Sequence, residues 1–248
     1  MITRRSTAEI AFMRRAGRLV AEVLGLVEEA LRPGVSTAHL DRIAEEHILK
    51  AGGTPSFKGY FGYPSSICIS IDREVVHGIP GDRIIGDGQV VSIDAGAIID
   101  GYHGDAARTF TIGDVPQSVR DLVATTRLGL EAGIAAATAG NRIWDISAAV
   151  EDVALARGYG VVRPYVGHGI GTAMHEDPQV PNYRTKSKGI ELAPGICLAI
   201  EPMFTLGSAD VETLADGWTV VTRDGSVAAH FEDSIAVTAD GPEILTRL

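Results

Sequence analysis

Apolar residues recur at helical spacing through residues 7–31, where Ile10, Met13, Leu19, Val23, Leu24, Val27 and Leu31 mark one face of an amphipathic helix. Arg32-Pro33-Gly34 ends that run, because proline lacks the N–H a helix interior needs and glycine accepts the turn. Ser36 supplies an N-cap for a second helix over about 37–51, which stops at Gly52-Gly53. β-type runs follow at 65–71 and 89–99. Helical spacing returns over about 117–138 and 143–157, ending at Gly158. Further β-type runs fall near 161–166, 196–204, 218–223 and 227–238.

This order of elements repeats. Pro33-Gly34-Val35, Leu40, Glu46 and Gly52 align with Ala139-Gly140-Asn141, Ile146, Asp152 and Gly158 at one constant offset. With a single-residue shift, Gly88 and Asp94 align with Gly195 and Glu201. The two acids coincide although neither set the helical alignment. We therefore read a duplicated α/β unit whose halves offer carboxylates to one shared site. No Pro/Ser-rich linker separates the halves, so 1–248 is expected to be a single domain, with halves of about 7–115 and 116–248.

Composition narrows the function classes. A chain of 248 residues with net charge −10 does not carry the basic footprint of a general nucleic-acid binder. Cys68 and Cys197 are far apart and form no CxxC, so neither a disulfide framework nor a structural zinc site is expected. No apolar run approaches the roughly 18 residues of a membrane span, and Arg14, Arg15, Arg18 and Glu22 interrupt any signal-peptide core. The expectation is a soluble cytoplasmic protein.

The chemistry lies in His77, Asp94, Asp105, His168, His175, Glu201 and Glu232, each beside glycine or proline or within a short β-type run. Asp100-Gly101 is a two-residue hairpin signal. Centring a turn there sets Ile99 opposite Tyr102, Asp94 opposite Ala107 and Gly96 opposite Asp105. Asp94 and Asp105 then share a sheet face as diagonal neighbours, about 7–8 Å apart. Such a pair amid Val90, Val91, Ile93, Ala95 and Ile98 is costly without a cation. Glu201 ends the apolar run 196–200 before Pro202, and Glu232 follows an Asp224-Gly225 turn. Four carboxylates and an imidazole suit two hard divalent ions that activate water.

Gly167-His168-Gly169-Ile170-Gly171 lacks the strand-to-helix setting of a phosphate loop, and His175-Glu176-Asp177-Pro178-Gln179 lacks the second histidine of a zincin. His103-Gly104-Asp105 with a distant histidine would also suit an iron oxygenase triad, which leaves Asp94, Glu201 and Glu232 unexplained. His39, His47, His103 and His230 are read as surface or satisfied core residues.

The segments GYPSSICISIDREVVHGIP, VSIDAG, GYHGDAARTF, GHGIG, MHEDPQVPNY, AIEPM and DGWTVVTRDGSVAAHFEDS resemble, in order and over nearly the whole chain, the type I methionine aminopeptidases. The resemblance implies the pita-bread α/β fold, with two pseudo-symmetric halves whose antiparallel sheet is covered by helices. It implies a dinuclear centre held by Asp94, Asp105, His168, Glu201 and Glu232, with Asp105 and Glu232 bridging, Asp94 on one ion, and His168 and Glu201 on the other. The ions would be cobalt, manganese, iron or zinc. Glu201 would also transfer a proton, and His77 and His175 would contact substrate. Tyr60, Tyr63, Cys68, Met174 and Trp218 would form the methionine pocket.

The implied activity is removal of initiator methionine from nascent chains, with a small second residue favoured. A related pita-bread enzyme cutting X-Pro bonds and a non-catalytic fold relative are the alternatives; the presence of all five ligands argues against the second. Met174 stands where the family often has Phe, and Phe57 and Phe61 where smaller or polar residues are common, so the pocket shape is expected to differ. The expected partner is the N-terminus of a nascent polypeptide, met by a monomer. Transient ribosome contact rests on the substrate's origin and on small basic patches, Arg4, Arg5, Arg14, Arg15, and Lys186 with Lys188, which solvated faces explain better.

Overall fold

The computed structural model describes residues 2–248. Its first helix, α1 (Thr7–Ala30), starts on a capping box: Ser6 Oγ accepts from the Glu9 N–H, and the Glu9 carboxylate accepts from the Ser6 N–H. Helix α2 (Thr37–Lys50) begins at Ser36, whose hydroxyl accepts from the His39 N–H. After β1 (Thr54–Pro55) come β2 (Ile67–Ile71), β3 (Glu74–Val76) and a long hairpin of β4 (Gln89–Ile99) and β5 (Tyr102–Ile112). Helices α3 (Gln117–Ala136) and α4 (Ile143–Leu155) follow. Then come β6 (Gly160–Val161), β7 (Gly167–Gly169), β8 (Glu176–Val180), β9 (Cys197–Ile200) and β10 (Met203–Thr205). The chain ends with β11 (Val211–Thr213), β12 (Val220–Thr222), β13 (Ala228–His230), β14 (Glu232–Thr238) and β15 (Gly241–Ile244).

The main sheet runs β1-β4-β5-β14-β9-β7-β8, with β2 also on β4 and β15 on β14. Two smaller sheets, β13-β10-β6 and β11-β12-β3, flank it. Helix α1 lies directly on the hairpin. A Cβ at Gly104 would stand 2.6 Å from the Gly17 backbone nitrogen, so glycine at 104 lets strand and helix touch. Val20, Val23, Leu24 and Val27 of α1 pack with Ile67, Ile69, Ile93 and Ala106 in one core. Leu130, Ile134 and Ile146 of α3 and α4 pack with Leu198, Ile200 and Ile235 in another. At about 25 cal/mol per Å² of apolar area, these buried faces fix both helix pairs to the sheet.

The helix predictions agree with the structure to within two residues. The strand predictions need three corrections. The run 161–166 pairs only at its start, because Pro164 offers no N–H and the following residues bend away. The run 196–204 breaks at Glu201-Pro202, and 227–238 breaks at Phe231; in both, the chain leaves one sheet and joins another. Strands β1, β7, β11 and β15 have two to four residues each, too few to show a period. Among the described residues, no helix is long and apolar enough to cross a membrane.

Candidate metal centre

Asp100 and Gly101 take positive φ of 50° and 80°, the backbone of a tight type I′ turn. The hairpin register that follows is the expected one, with Ile99 opposite Tyr102, Gly96 opposite Asp105 and Asp94 opposite Ala107. Ala107 in turn pairs with Glu232. Ile200 pairs with Asp233, so Glu201, one residue further, lies across from Glu232. One row across the sheet therefore reads Asp94, Ala107, Glu232, Glu201.

The next row reads Gly96, Asp105, Ser234, Ala199, His168. Its links are the Gly96–Asp105, Ser234–Ala199 and Ala199–His168 pairs. Ser234 Oγ joins the remaining neighbours, accepting from the Asp105 N–H and donating to its carbonyl. The rows are two residues apart on each strand and so share a face. Ala107, Ala199 and Ser234 are small, and at Gly96 the place of a Cβ is taken by Phe57 and Ser56.

The ligand atoms converge. His168 Nε2 lies 3.7 Å from Glu201 Oε1 and 3.9 Å from Asp105 Oδ2. His168 Nδ1 is 2.9 Å from the Gly169 carbonyl, which can only accept, so Nδ1 carries the proton and the Nε2 lone pair faces the acids. Asp105, His168 and Glu232 each offer a ligand atom within 4.8 Å of the others. One buried oxygen on each of Asp94, Asp105 and Glu232 has no hydrogen-bond partner.

Burial, and then the neighbouring carboxylates, push Asp105 and Glu232 well above the usual carboxylate range. Burial and Asp94 do the same to Glu201, and burial raises Asp94 to about 7. Burial lowers His168 to about 3, so its ring is neutral. Carboxyls that resist ionisation together, a neutral imidazole lone pair and unpartnered oxygens are the donor set of a hard divalent cation.

A cavity of about 460 Å³ opens over this floor. Tyr63, Cys68 and Met174 are buried in one apolar cluster with Phe57, and Tyr60 and Trp218 pack against it. All of these line the cavity, as do His77 and His175. Burial lowers His77 to about 4; its ring stands edge-on to Trp218 at 6.3 Å. Its φ of 62° is a conformation non-glycine residues seldom take. His175 is exposed, and its Nδ1 lies 2.8 Å from the Tyr60 hydroxyl. The part of the ring that is buried holds its pKa below the ordinary value. Burial pushes the Cys68 thiol far up, so it packs as a neutral group.

Every residue the sequence nominated for the site is thus in this cavity. Phe57 and Phe61 also line it, Phe61 at the rim and 85 % exposed. His103 is a satisfied core residue, its Nδ1 bonded to Ser56 Oγ at 2.9 Å. His230 departs from the bland reading: it is buried, and its Nε2 has no partner. Its place on a β-type run two residues before Glu232 was the available signal. Of the basic residues, Arg5, Arg14 and Arg15 are ion-paired to Glu176, Glu243 and Asp100, and Arg4 bonds the Pro194 carbonyl.

Comparison with known proteins agrees with this geometry. The signature of metallopeptidase family M24 matches residues 11–239. The chain is 51% identical over 247 residues to a methionine aminopeptidase of Clostridium acetobutylicum, covering 99% of each chain. It is 48% identical over 248 residues to methionine aminopeptidase 1 of Bacillus subtilis, covering 100% of each. The crystal structure of methionine aminopeptidase from Thermotoga maritima superposes with a TM-score of 0.98 at 41% identity, over 100% of both chains. The fold is the pita-bread fold of these enzymes. With this fold and a cluster of acids and imidazole on its inner face, the chain belongs to metallopeptidase family M24, and within it to the methionine aminopeptidases.

Proposed function

We propose that this site holds two divalent cations and hydrolyses the bond after an N-terminal methionine of nascent chains, favouring a small second residue. The carrying observation is that one cavity joins a floor of acids with unpartnered buried oxygens to an apolar wall of Tyr63, Cys68, Met174 and Trp218. Asp94, Asp105, His168, Glu201 and Glu232 would hold the cations. Bound there, such cations supply an activated water and polarise the scissile carbonyl. Oxygen-rich donors with one imidazole suit manganese, iron and cobalt, and zinc is compatible.

The chain's own groups do the rest. Glu201 borders the cavity and takes the water's proton on its carboxylate, then returns it to the leaving amine. Desolvation raises the Tyr60 phenol, which keeps its proton and donates it to His175 Nδ1. That leaves Nε2–H as the ring's donor toward the carbonyl oxygen, where charge develops. His77, neutral by burial, contacts the bound peptide. The Tyr63 hydroxyl donates to the Ile67 and Gly78 carbonyls, which fixes its ring as a rigid wall against a flexible thioether.

In the same reading the chain is one catalytic unit of two halves, 7–115 and 116–248, acting as a cytoplasmic monomer. Supporting the halves, β4 and β5 are backed by α1, and β14 and β9 by α3. Any transient ribosome contact would use Lys186 and Lys188 rather than the paired arginines.

Metal-stripped protein, assayed on Met-Ala-Ser and Leu-Ala-Ser with divalent metals added singly, tests the proposal. Restored cleavage of the methionine peptide alone supports both floor and wall. Cleavage of both peptides removes the methionine assignment, and no cleavage with any metal removes the hydrolytic one.

A further inference from the structure

Two residues from Asp94 and Ala107, Ser92 pairs with Thr109 in the main sheet; two residues from Glu232 and Glu201, His230 pairs with Met203 in the small sheet β13-β10-β6. His230 is 2 % exposed. Its Nε2 has no hydrogen-bond partner and stands 3.9 Å from Glu201 Oε2 and 4.0 Å from Glu232 Oε2. That is too far for a hydrogen bond, yet a carboxylate shift of about 1 Å would close it.

The backbone of His230 is held firmly. Thr109 Oγ1 accepts from the His230 N–H at 2.9 Å and donates to the His230 carbonyl at 2.6 Å. The single Thr109 proton is then spent, so Ser92 must donate to Thr109 across 2.8 Å. The ring is thereby anchored to the hairpin that carries Asp94 and Asp105, while it faces the two acids of the other half. A buried ring nitrogen that can carry a proton, aimed between two carboxylates and otherwise unpartnered, is a costly arrangement unless it is used.

We infer that His230 is a positioning residue of the metal centre. Its Nε2–H bonds carboxylate oxygens of Glu201 and Glu232 and sets the direction in which both side chains present their ligand oxygens. The inference rests on the metal-binding reading above. An outer partner of this kind typically changes metal affinity or activity by about 10- to 100-fold.

The test compares wild type with H230Q, H230M and H230A. Glutamine reaches as far as Nε2 and carries an N–H; methionine has similar length and carries none. Metal-free proteins are titrated with Mn²⁺ by calorimetry, and their Co²⁺ forms are compared by visible absorption. The kcat and KM on Met-Ala-Ser are measured at saturating metal, with the thermal midpoint as a folding control. H230M and H230A are expected to bind Mn²⁺ about 10- to 100-fold more weakly, with an altered Co²⁺ spectrum and a fall in kcat rather than a rise in KM. H230Q is expected to stay close to wild type. If H230A fails to fold, the Gln and Met pair decides. H230M with wild-type affinity and spectrum, or H230Q as weak as H230M, overturns the inference. A wild type that binds no Mn²⁺ overturns the metal centre itself, an outcome distinct from a binding wild type indifferent to residue 230.

Discussion

The two halves of the sheet deliver their acids differently. Asp94 and Asp105 sit inside a regular hairpin of two 11-residue strands whose turn sets their register. Glu201 and Glu232 sit where strands break: one lies between β9 and β10, the other opens β14 immediately past Phe231. The hairpin is a local object, fixed by its own turn and alternation. The corners are fixed only by what they pack against. Arg108 ties the two together: it donates to the Ala107 carbonyl, the Glu232 carbonyl and the buried Asp233 carboxylate. One half thus carries its geometry within itself, and the other receives it across a seam.

The largest break comes from removing a floor acid. Asp105→Ala is expected to lower kcat/KM by at least about 10³-fold, because it deletes an acid at the middle of the floor. Metal content by atomic emission and turnover of Met-Ala-Ser check this, and a fully active variant would sink the site assignment.

Acid attacks the hairpin half through rings outside the proposed ligand set. Burial lowers both His77 and His103 to about 4, from an ordinary 6.5. The folded state therefore binds fewer protons than the unfolded chain. Their stabilising contribution is complete above about pH 6.5 and is lost as pH falls through 6.5 toward 4. The loss is on the order of 2–3 kcal/mol per ring. A His77→Gln/His103→Gln double variant should lose less stability than wild type between neutral pH and pH about 4.5, read by urea titration. Equal losses would mean the rings titrate normally.

The seam is the next target. Arg108→Ala removes a partner from Asp233, which is fully buried but keeps Arg247. The expected cost is about 2–3 kcal/mol, below the 3–5 kcal/mol of a sole buried pair. Metal affinity should fall with it, because Glu232 is the neighbouring residue. A loss of stability with metal affinity unchanged would show that the corner holds its own geometry.

The smallest effect sharpens the hairpin side. Gly101 has a φ of 80°, so Gly101→Val should cost about 1–2 kcal/mol in the left-handed region. A Cβ there meets nothing within 4 Å, so the cost is conformational and not steric crowding by neighbours. Chemical denaturation measures it, and no loss would mean the turn can change type without disturbing the register.

Much of this was legible in the chain. The helices showed themselves by spacing and caps, since buried faces of 13 to 24 residues give a period time to repeat. The Asp100-Gly101 signal yielded the pairing of Gly96 with Asp105. The breaks at Glu201-Pro202 and Phe231 were less visible, because an apolar run reads alike whether it stays in one sheet or crosses to another. His230 was missed for a related reason: a lone histidine on a strand has no pattern, and only its neighbours reveal its use.

Local order, then, was written in the sequence: helices, the hairpin, the identity of the acids, and their resemblance to a family. Tertiary structure alone decided that Asp94 and Glu201, 107 positions apart, would share a row, that His168 would turn its Nε2 lone pair toward Asp105 and Glu201, and that an unpartnered imidazole would stand beside two of the acids. Periodicity reports which side of an element is buried. It does not report what is buried against it, because that depends on contacts between residues with no relation along the chain.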